Sequence, residues 1–374
     1  MAVETITPAE ARRRQLGGAV LIDVREAHER ALGMAEGALG VSRSELEAAP
    51  GAVLARRDVE VLLICEVGGR SRQAAEALVD AGFERVASIE GGTRQWRLEN
   101  LPLVAAHGDL DFNDRYSRHL RLPEVGEAGQ RRLQQATVAV VGAGGLGSPA
   151  AYYLAAAGVG TLRLADDDVV DRSNLQRQIL HTDARIGTAK VESARVALEA
   201  LNPTIRVIGM RERITAGNVE RLIADADVVL DGADNFPVRY LLNDACVKLG
   251  KPLVYGAVHR FHGQVSVFDA GRRRGEAPCY RCLFPEPPPP EMAPNCSEAG
   301  VLGVLPGVVG MLQATEVVKL ILGIGEPLAG RLLQFDALSM RFHETGLRAD
   351  PGCPVCAPGT PFPGYIDYQQ FCAG

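Results

Sequence analysis

The stretch from Ala136 to Gln178, ATVAVVGAGGLGSPAAYYLAAAGVGTLRLADDDVVDRSNLQRQ, constrains what this chain can fold into more than any other. Thr137 to Val141 is a short β-branched run, Gly142-Ala143-Gly144-Gly145-Leu146-Gly147 fits G-x-G-x-x-G, and Ser148 to Ala157 is built largely of alanines and aromatics, as a helix would be. Strand, glycine turn and helix in that order open a Rossmann-like, doubly wound α/β sheet. The glycines let the backbone turn tightly and approach a phosphate, while unpaired N–H groups at the start of the helix favour negative charge there. A second strand, Thr161 to Ala165, delivers Asp166, whose carboxylate lies where ribose hydroxyls need an acceptor.

So far the pattern says nucleotide without saying which. Asp168 and Asp171 continue the acidic run. Ser173, Asn174, Leu175 and Arg177 follow, with Lys190 a little further on. Fixed cations suit triphosphate oxygens, because an Arg fork and a Lys point charge offset charge developing at phosphorus. A triphosphate is therefore favoured over a dinucleotide. A nicotinamide-dependent oxidoreductase shares the glycine turn but accounts for neither Arg177 nor Lys190.

With 374 residues the chain has room for two or three domains. A net charge of −6 and no basic stripe argue against nucleic acid. The start, MAVETITPAEARRRQ, lacks the apolar core of a signal peptide, and Gln313, Glu316 and Lys319 interrupt the apolar stretch from Gly300 to Gly325. No membrane and a cytoplasmic location are the expectation. Four of the eight cysteines form two C-x-x-C pairs, which suits a reduced compartment better than disulfides.

Toward the N-terminus, Thr7 and Glu10 have capping-box spacing ahead of a helix to Leu16. Strands are expected over Ala19 to Val24, Val59 to Cys65 and Val86 to Ile89, with a helix from Arg72 to Ala81. This alternation predicts a small parallel α/β domain over 1–104, followed by a linker over 105–111 and a second domain over 112–374. Its chemistry lies at the turn Cys65-Glu66-Val67-Gly68-Gly69-Arg70. Backbone N–H groups, a helix N-terminus and Arg70 make an anion cradle that would lower the Cys65 thiol pKa and make it a nucleophile.

In the second domain a polar helix is expected over Phe112 to Leu122, ahead of the first strand. Asp234 and Asn235 follow the strand Ala226 to Leu230, at the end that opens on the ligand crevice. Two roles stand open for Asp234: a hard oxygen ligand for Mg²⁺, or the N-cap of a helix from Pro237 to Leu249. Cys279, Cys282, Cys353 and Cys356 read as a four-thiolate structural Zn²⁺ site. Pro285 to Pro294 must be a loop.

From about Asp111 to Cys356 the chain resembles the ubiquitin-activating-like adenylyltransferases, specifically the bacterial group that activates molybdopterin-synthase and thiazole sulfur carriers. The resemblance rests on RYSRHL, GAGGLG, DDDVVDRSNLQRQ, GTAK, DGADN, the two C-x-x-C pairs and NCSEAGVLG. It implies ATP–Mg²⁺-dependent adenylation of the C-terminal glycine of a ubiquitin-like sulfur carrier ending in Gly-Gly. It further implies a homodimer in which Arg118 reaches the partner's ATP, and a loop cysteine, Cys296, open to a thioester, an acyl disulfide or no covalent role. The N-terminal segment resembles a single-domain rhodanese through LIDVRE, EGALGVS, CEVGGR and IEGGTRQW. That likeness implies a persulfide on Cys65, supplied by a cysteine desulfurase or another sulfur donor. Glu66 within the loop and Met34 at a frequent histidine position depart from the rhodanese pattern, leaving open an inactive rhodanese that serves as a docking module; for the whole chain, the non-enzyme alternative is a sulfur-relay scaffold that binds a ubiquitin-like partner without turnover.

Overall fold

A computed structural model describes residues 3–105, 109–288 and 300–373. The chain divides into two compact units, Met1–Gly126 and Glu127–Gly374.

In the first unit five parallel strands run in the order Glu4–Ile6, Arg85–Ile89, Glu60–Ile64, Val20–Asp23, Leu39–Gly40. Both faces of the sheet are covered, so its central strands are nearly continuous apolar runs. Ile22, Val61 and Leu63 face the helix Gly69–Asp80, while Leu21, Leu62 and Ile64 lie with Ala11 and the fully buried Trp96. The helix Pro8–Leu16 takes one half of the expected capping box: Thr7 Oγ1 accepts from Glu10 N at 3.3 Å. Glu10's own carboxylate instead accepts from Arg14 Nε at 2.6 Å. The expected helix over 112–122 is corrected to a shorter one, Leu110–Arg115, followed by a 3₁₀ turn, His119–Arg121.

The second unit is an eight-stranded mixed sheet. Arg206–Met210, Thr161–Ala165, Thr137–Val141, Val228–Asp231 and Leu253–His259 run parallel in that order, and His262–Phe268, Arg331–Asp336 and Arg341–Gly346 extend them antiparallel. Val141 pairs with both Ala165 and Asp231, so three neighbouring strands end together. Gly142, Asp166 and Gly232 therefore leave the sheet at one carboxyl edge, where a doubly wound sheet binds its ligand.

Among the described residues one helix, Leu305–Leu322, is long and apolar enough to cross a bilayer. Here it packs on the sheet and on the helix Gly147–Ala156. Its buried Gln313 donates from Nε2 to the carbonyls of Asp231 and Val254, at 2.7 and 3.2 Å. Glu316, also buried, accepts from Leu328 N at 2.8 Å. These polar groups tie the helix to the sheet and to the following loop.

Candidate active sites

The glycine loop is shaped by two positions where no side chain fits. Gly142 has φ +91°, and a Cβ there would lie 2.6 Å from the Gly232 carbonyl oxygen. A Cβ on Gly147 would lie 1.9 Å from the carbonyl oxygen of Gly142, which fixes the start of the helix against the turn. Gly144 and Gly145, between them, meet only the sides of Gln178, Pro306 and Arg177.

Asp166 is a half-buried residue whose carboxylate is shared between two backbone donors. Its Oδ2 accepts from Ala143 N at 2.8 Å and its Oδ1 from Asp168 N at 2.9 Å. Burial raises its pKa above the ordinary carboxylate value, with Lys190 opposing the rise. Lys190 begins the helix Lys190–Leu201 and is itself buried; its Nζ lies 2.7 Å from Asp168 Oδ2 and 3.9 Å from Asp166 Oδ1. The structure therefore brings Asp166, Asp168 and Lys190 together beside the loop.

Asp171 caps the 3₁₀ turn Arg172–Asn174, accepting from Ser173 N at 2.8 Å and from Ser173 Oγ at 2.6 Å. The Asn174 carbonyl accepts from the backbone of Arg177 and Gln178, at 3.1 and 3.0 Å, while Leu175 closes the turn. This winding lays the stem of Arg177 along Gly145, with Cδ 3.7 Å from where a Cβ would stand, and its Nη1 donates to the Ser173 carbonyl at 3.2 Å.

Asp234 and Asn235 are exposed just past the strand Val228–Asp231. The N-cap alternative for Asp234 is corrected: the helix is Phe236–Leu249 and its cap is Asn235, whose Oδ1 accepts from Val238 N at 3.1 Å. A cap oxygen must reach the N–H three residues on, and Asn235 has that spacing. Asp234 instead accepts from Asn235 Nδ2 at 3.2 Å. Beneath this turn burial pushes Asp231 up to about 6, opposed by Arg239, whose Nε is 3.4 Å from its Oδ2.

The two C-x-x-C pairs meet. Sγ atoms of Cys279 and Cys353 are 3.7 Å apart, those of Cys282 and Cys279 3.9 Å, and those of Cys282 and Cys356 3.4 Å. A tetrahedron of thiolates around Zn²⁺ has edges of about 3.8 Å, from a Zn–S bond near 2.3 Å. All four ligand atoms lie within 4.8 Å of one another, and Asp350 N donates to Cys282 Sγ at 3.4 Å. The residues present fit a four-thiolate metal site. The intervening Arg281 makes a bidentate pair with the buried Asp244, 2.9 Å on each arm, and Tyr368 donates to the same carboxylate at 2.7 Å.

In the first unit Cys65 is buried at the end of the strand Glu60–Ile64, and Gly68 N donates to its Sγ at 3.2 Å. Loop carbonyls are drawn away from the thiol: Thr93 N donates to Cys65 O at 2.7 Å and Arg94 N to Glu66 O at 3.1 Å. Arg70 is engaged elsewhere. Its Nη1 and Nη2 donate to Glu29 Oε2 and Oε1, at 2.6 and 2.8 Å. Glu66 is paired as well, accepting from Arg25 Nη1 at 3.0 Å, while Arg25 is also bound through Nε and Nη2 to Asp23. Met34 lies in a short strand, Met34–Ala35, paired with Leu103–Val104.

Arg118 is exposed at the head of the turn His119–Arg121. Cys296, and most of the proline-rich loop before it, lie outside the described residues. Sequence reasoning missed His181, a buried imidazole against the glycine loop, and the carboxylate Glu29. Neither belongs to a local pattern; only the fold brings each to its partner.

Comparison with known proteins assigns the two units. The ThiF family model matches residues 116–355, and the rhodanese-like domain model matches residues 7–99. The chain is 52% identical over 260 residues to a sulfur carrier protein adenylyltransferase of Thermus thermophilus, covering 69% of this chain and 96% of that one. It is 52% identical over 261 residues to a SAMP-activating enzyme E1 of Haloferax volcanii, covering 70% and 95%. A probable adenylyltransferase/sulfurtransferase, MoeZ, of Mycobacterium tuberculosis is 50% identical over 273 residues, covering 72% and 68%. Among solved structures, E. coli MccB with MccA-N7isoASN superposes with a TM-score of 0.57 over 71% of this chain and 81% of that one, at 22% identity, a likeness of fold.

Proposed function

This chain belongs to the ThiF family and carries a rhodanese-like domain ahead of the family's region, and from that premise we propose that it is an adenylyltransferase and sulfurtransferase for a ubiquitin-like sulfur carrier. The observation that supports the first half most is the cluster of Asp166, Asp168 and Lys190 beside a glycine loop along which Arg177 lies. Asp166 is placed to accept from ribose. Arg177 and Lys190 supply the positive charge that a triphosphate needs, with Lys190 exchanging its Asp168 partner for phosphate. Asp234, exposed at the same edge, would supply an oxygen ligand for Mg²⁺. Asn174 and Asn235 add amide donors at the rim.

In this reading a C-terminal glycine carboxylate oxygen of the carrier attacks the α-phosphorus of ATP, and pyrophosphate leaves. The resulting acyl adenylate has AMP as its leaving group. A persulfide on Cys65 then attacks the acyl carbon through its terminal sulfur, expelling AMP. Attack by a small-molecule or protein thiol on Cys65 Sγ then expels the carrier thiocarboxylate and leaves a disulfide on Cys65. Carrying both activities on one chain raises their effective concentration. Arg118, in a symmetric homodimer, adds a cation to the partner's nucleotide. Cys279, Cys282, Cys353 and Cys356 would hold Zn²⁺ in a structural site that leaves no open coordination position. Reduced thiols at these positions suit a cytoplasmic setting, with a cysteine desulfurase as the sulfur donor.

The test is mass spectrometry of a Gly-Gly-ending carrier after incubation with the full chain, ATP, Mg²⁺ and a cysteine desulfurase with cysteine. ATP-dependent conversion of the terminal carboxylate to a thiocarboxylate is expected. A carrier left unmodified, with no adenylate formed, would defeat the reading.

A further inference from the structure

His181 stands between the glycine loop and the helix that carries Lys190. Its Nε2 is 2.9 Å from the Ala143 carbonyl oxygen and its Nδ1 is 2.9 Å from Ser193 Oγ, with the residue 5% exposed. The chemistry of the partners assigns the protons. A carbonyl oxygen only accepts, so Nε2 carries the hydrogen, and in a neutral imidazole Nδ1 must then accept. Ser193 can supply that hydrogen because its own oxygen receives one from Arg185 Nη1 at 3.3 Å. The bonds run one way, from Arg185 through Ser193 and His181 to Ala143.

Ala143 is thereby gripped from both sides. Its N–H goes to Asp166 Oδ2 at 2.8 Å, and its C=O receives His181; a second donor to that oxygen, Ser148 Oγ, is longer at 3.4 Å. The carbonyl of Ala143 and the N–H of Gly144 belong to one planar peptide, so orienting the first orients the second. Resting on the proposed ATP site, we infer that His181 is a positioning residue whose neutral imidazole fixes the Ala143–Gly144 peptide so that the loop meets the triphosphate in one orientation.

The surroundings favour the neutral form. Burial lowers the His181 pKa; the hydrogen bond to Ala143 opposes this, the cations Lys190 and Arg185 lower it further, and the net shift is downward, while Asp166 and Asp168 are occupied with backbone donors and with Lys190. A second proton at Nδ1 would deprive the Ser193 hydrogen of its acceptor and place a third cation in the cluster. Loop order, and with it ATP affinity, should fail on the acid side.

The experiment is ATP–pyrophosphate exchange by the full chain, with a Gly-Gly-ending carrier, across pH 5.5–8.5 for wild type, H181Q, H181F and S193A, each checked by thermal melting. H181F keeps a ring but has no donor. It should raise the ATP KM on the order of tenfold or more, the scale of one buried hydrogen bond, with kcat changed less. H181Q, whose amide can donate to Ala143, should recover most of that loss and lack the acid limb. S193A removes the donor that favours neutral His181, so its acid limb should move to higher pH. An H181F protein that melts like wild type and keeps the wild-type ATP KM overturns the inference. So do H181Q and H181F that lose ATP affinity equally, the behaviour of a side chain that merely fills space. Absence of exchange in wild type overturns the ATP-site reading along with it.

Discussion

The guanidinium of Arg70 and the carboxylate of Glu29 meet fork to fork, at 2.6 and 2.8 Å, beside the loop that holds Cys65. Hydrogen bonding from Arg70 draws Glu29 down to about 2, against an opposing effect of burial. A carboxylate whose folded-state pKa is depressed stabilises the fold above its ordinary value of 4.5, and that contribution is lost as pH falls through about 2. The pair is therefore intact at every physiological pH. Glu29→Gln should release one arm of Arg70 for anionic sulfur donors. Thiosulfate:cyanide sulfur transfer should rise, and its KM for thiosulfate should fall; unchanged kinetics would show that Arg70 does not meet the donor.

Removing either cation of the proposed ATP site gives a second prediction. Arg177→Ala or Lys190→Ala should cut carrier adenylation by about a hundredfold or more, the scale for loss of one electrostatic stabiliser. Lys190→Ala also leaves Asp166 and Asp168 without their shared cation, so its melting temperature should fall more than that of Arg177→Ala. Carrier-dependent pyrophosphate release and a thermal melt read out both.

A third prediction concerns metal. Cys279→Ser should lower zinc content, measured by elemental analysis of purified protein, and lower the melting temperature by several degrees. The cysteines join segments far apart in sequence, and a metal that binds only the folded arrangement stabilises it directly. A freshly purified, folded wild-type protein without zinc would contradict the four-thiolate site.

How much of this was legible in the sequence depended on whether the signal was local. The strands Thr137–Val141 and Thr161–Ala165 have the bounds that their β-branched and flanking residues suggest. The strand Arg341–Gly346 was invisible: RFHETG is exposed throughout, so neither face carries an apolar pattern. The helix Gly126–Gln135 opens on glycine and is mostly polar, and its stripe is narrow, with Gly129, Gln130 and Leu133 buried. The site split in the same way. The glycine turn and the C-x-x-C pairs announce themselves by spacing, whereas Glu29 and Arg70 lie 41 residues apart and His181 contacts Ala143 across 38. Such partners are set by sheet order and by loop winding, which no short window records.

A fourth prediction separates the two halves of the chemistry. Cys65→Ala should leave adenylation unchanged while abolishing thiocarboxylate formation when a cysteine desulfurase is the sole sulfur source. Cys65 lies in one unit and the glycine loop Gly142–Gly147 in the other, so the two proposed activities should fail independently. Unchanged thiocarboxylate in the variant would mean that sulfide bypasses the rhodanese-like domain.

Activation of a carrier carboxylate by ATP on this chain is read out by ATP–pyrophosphate exchange. Radiolabelled pyrophosphate should appear in ATP only when the full chain, Mg²⁺ and a carrier ending in Gly-Gly are all present, and a carrier lacking its terminal glycine should support none. Exchange that ignores the carrier, or none with any Gly-Gly-ending sulfur carrier, would rule out carrier activation by this chain.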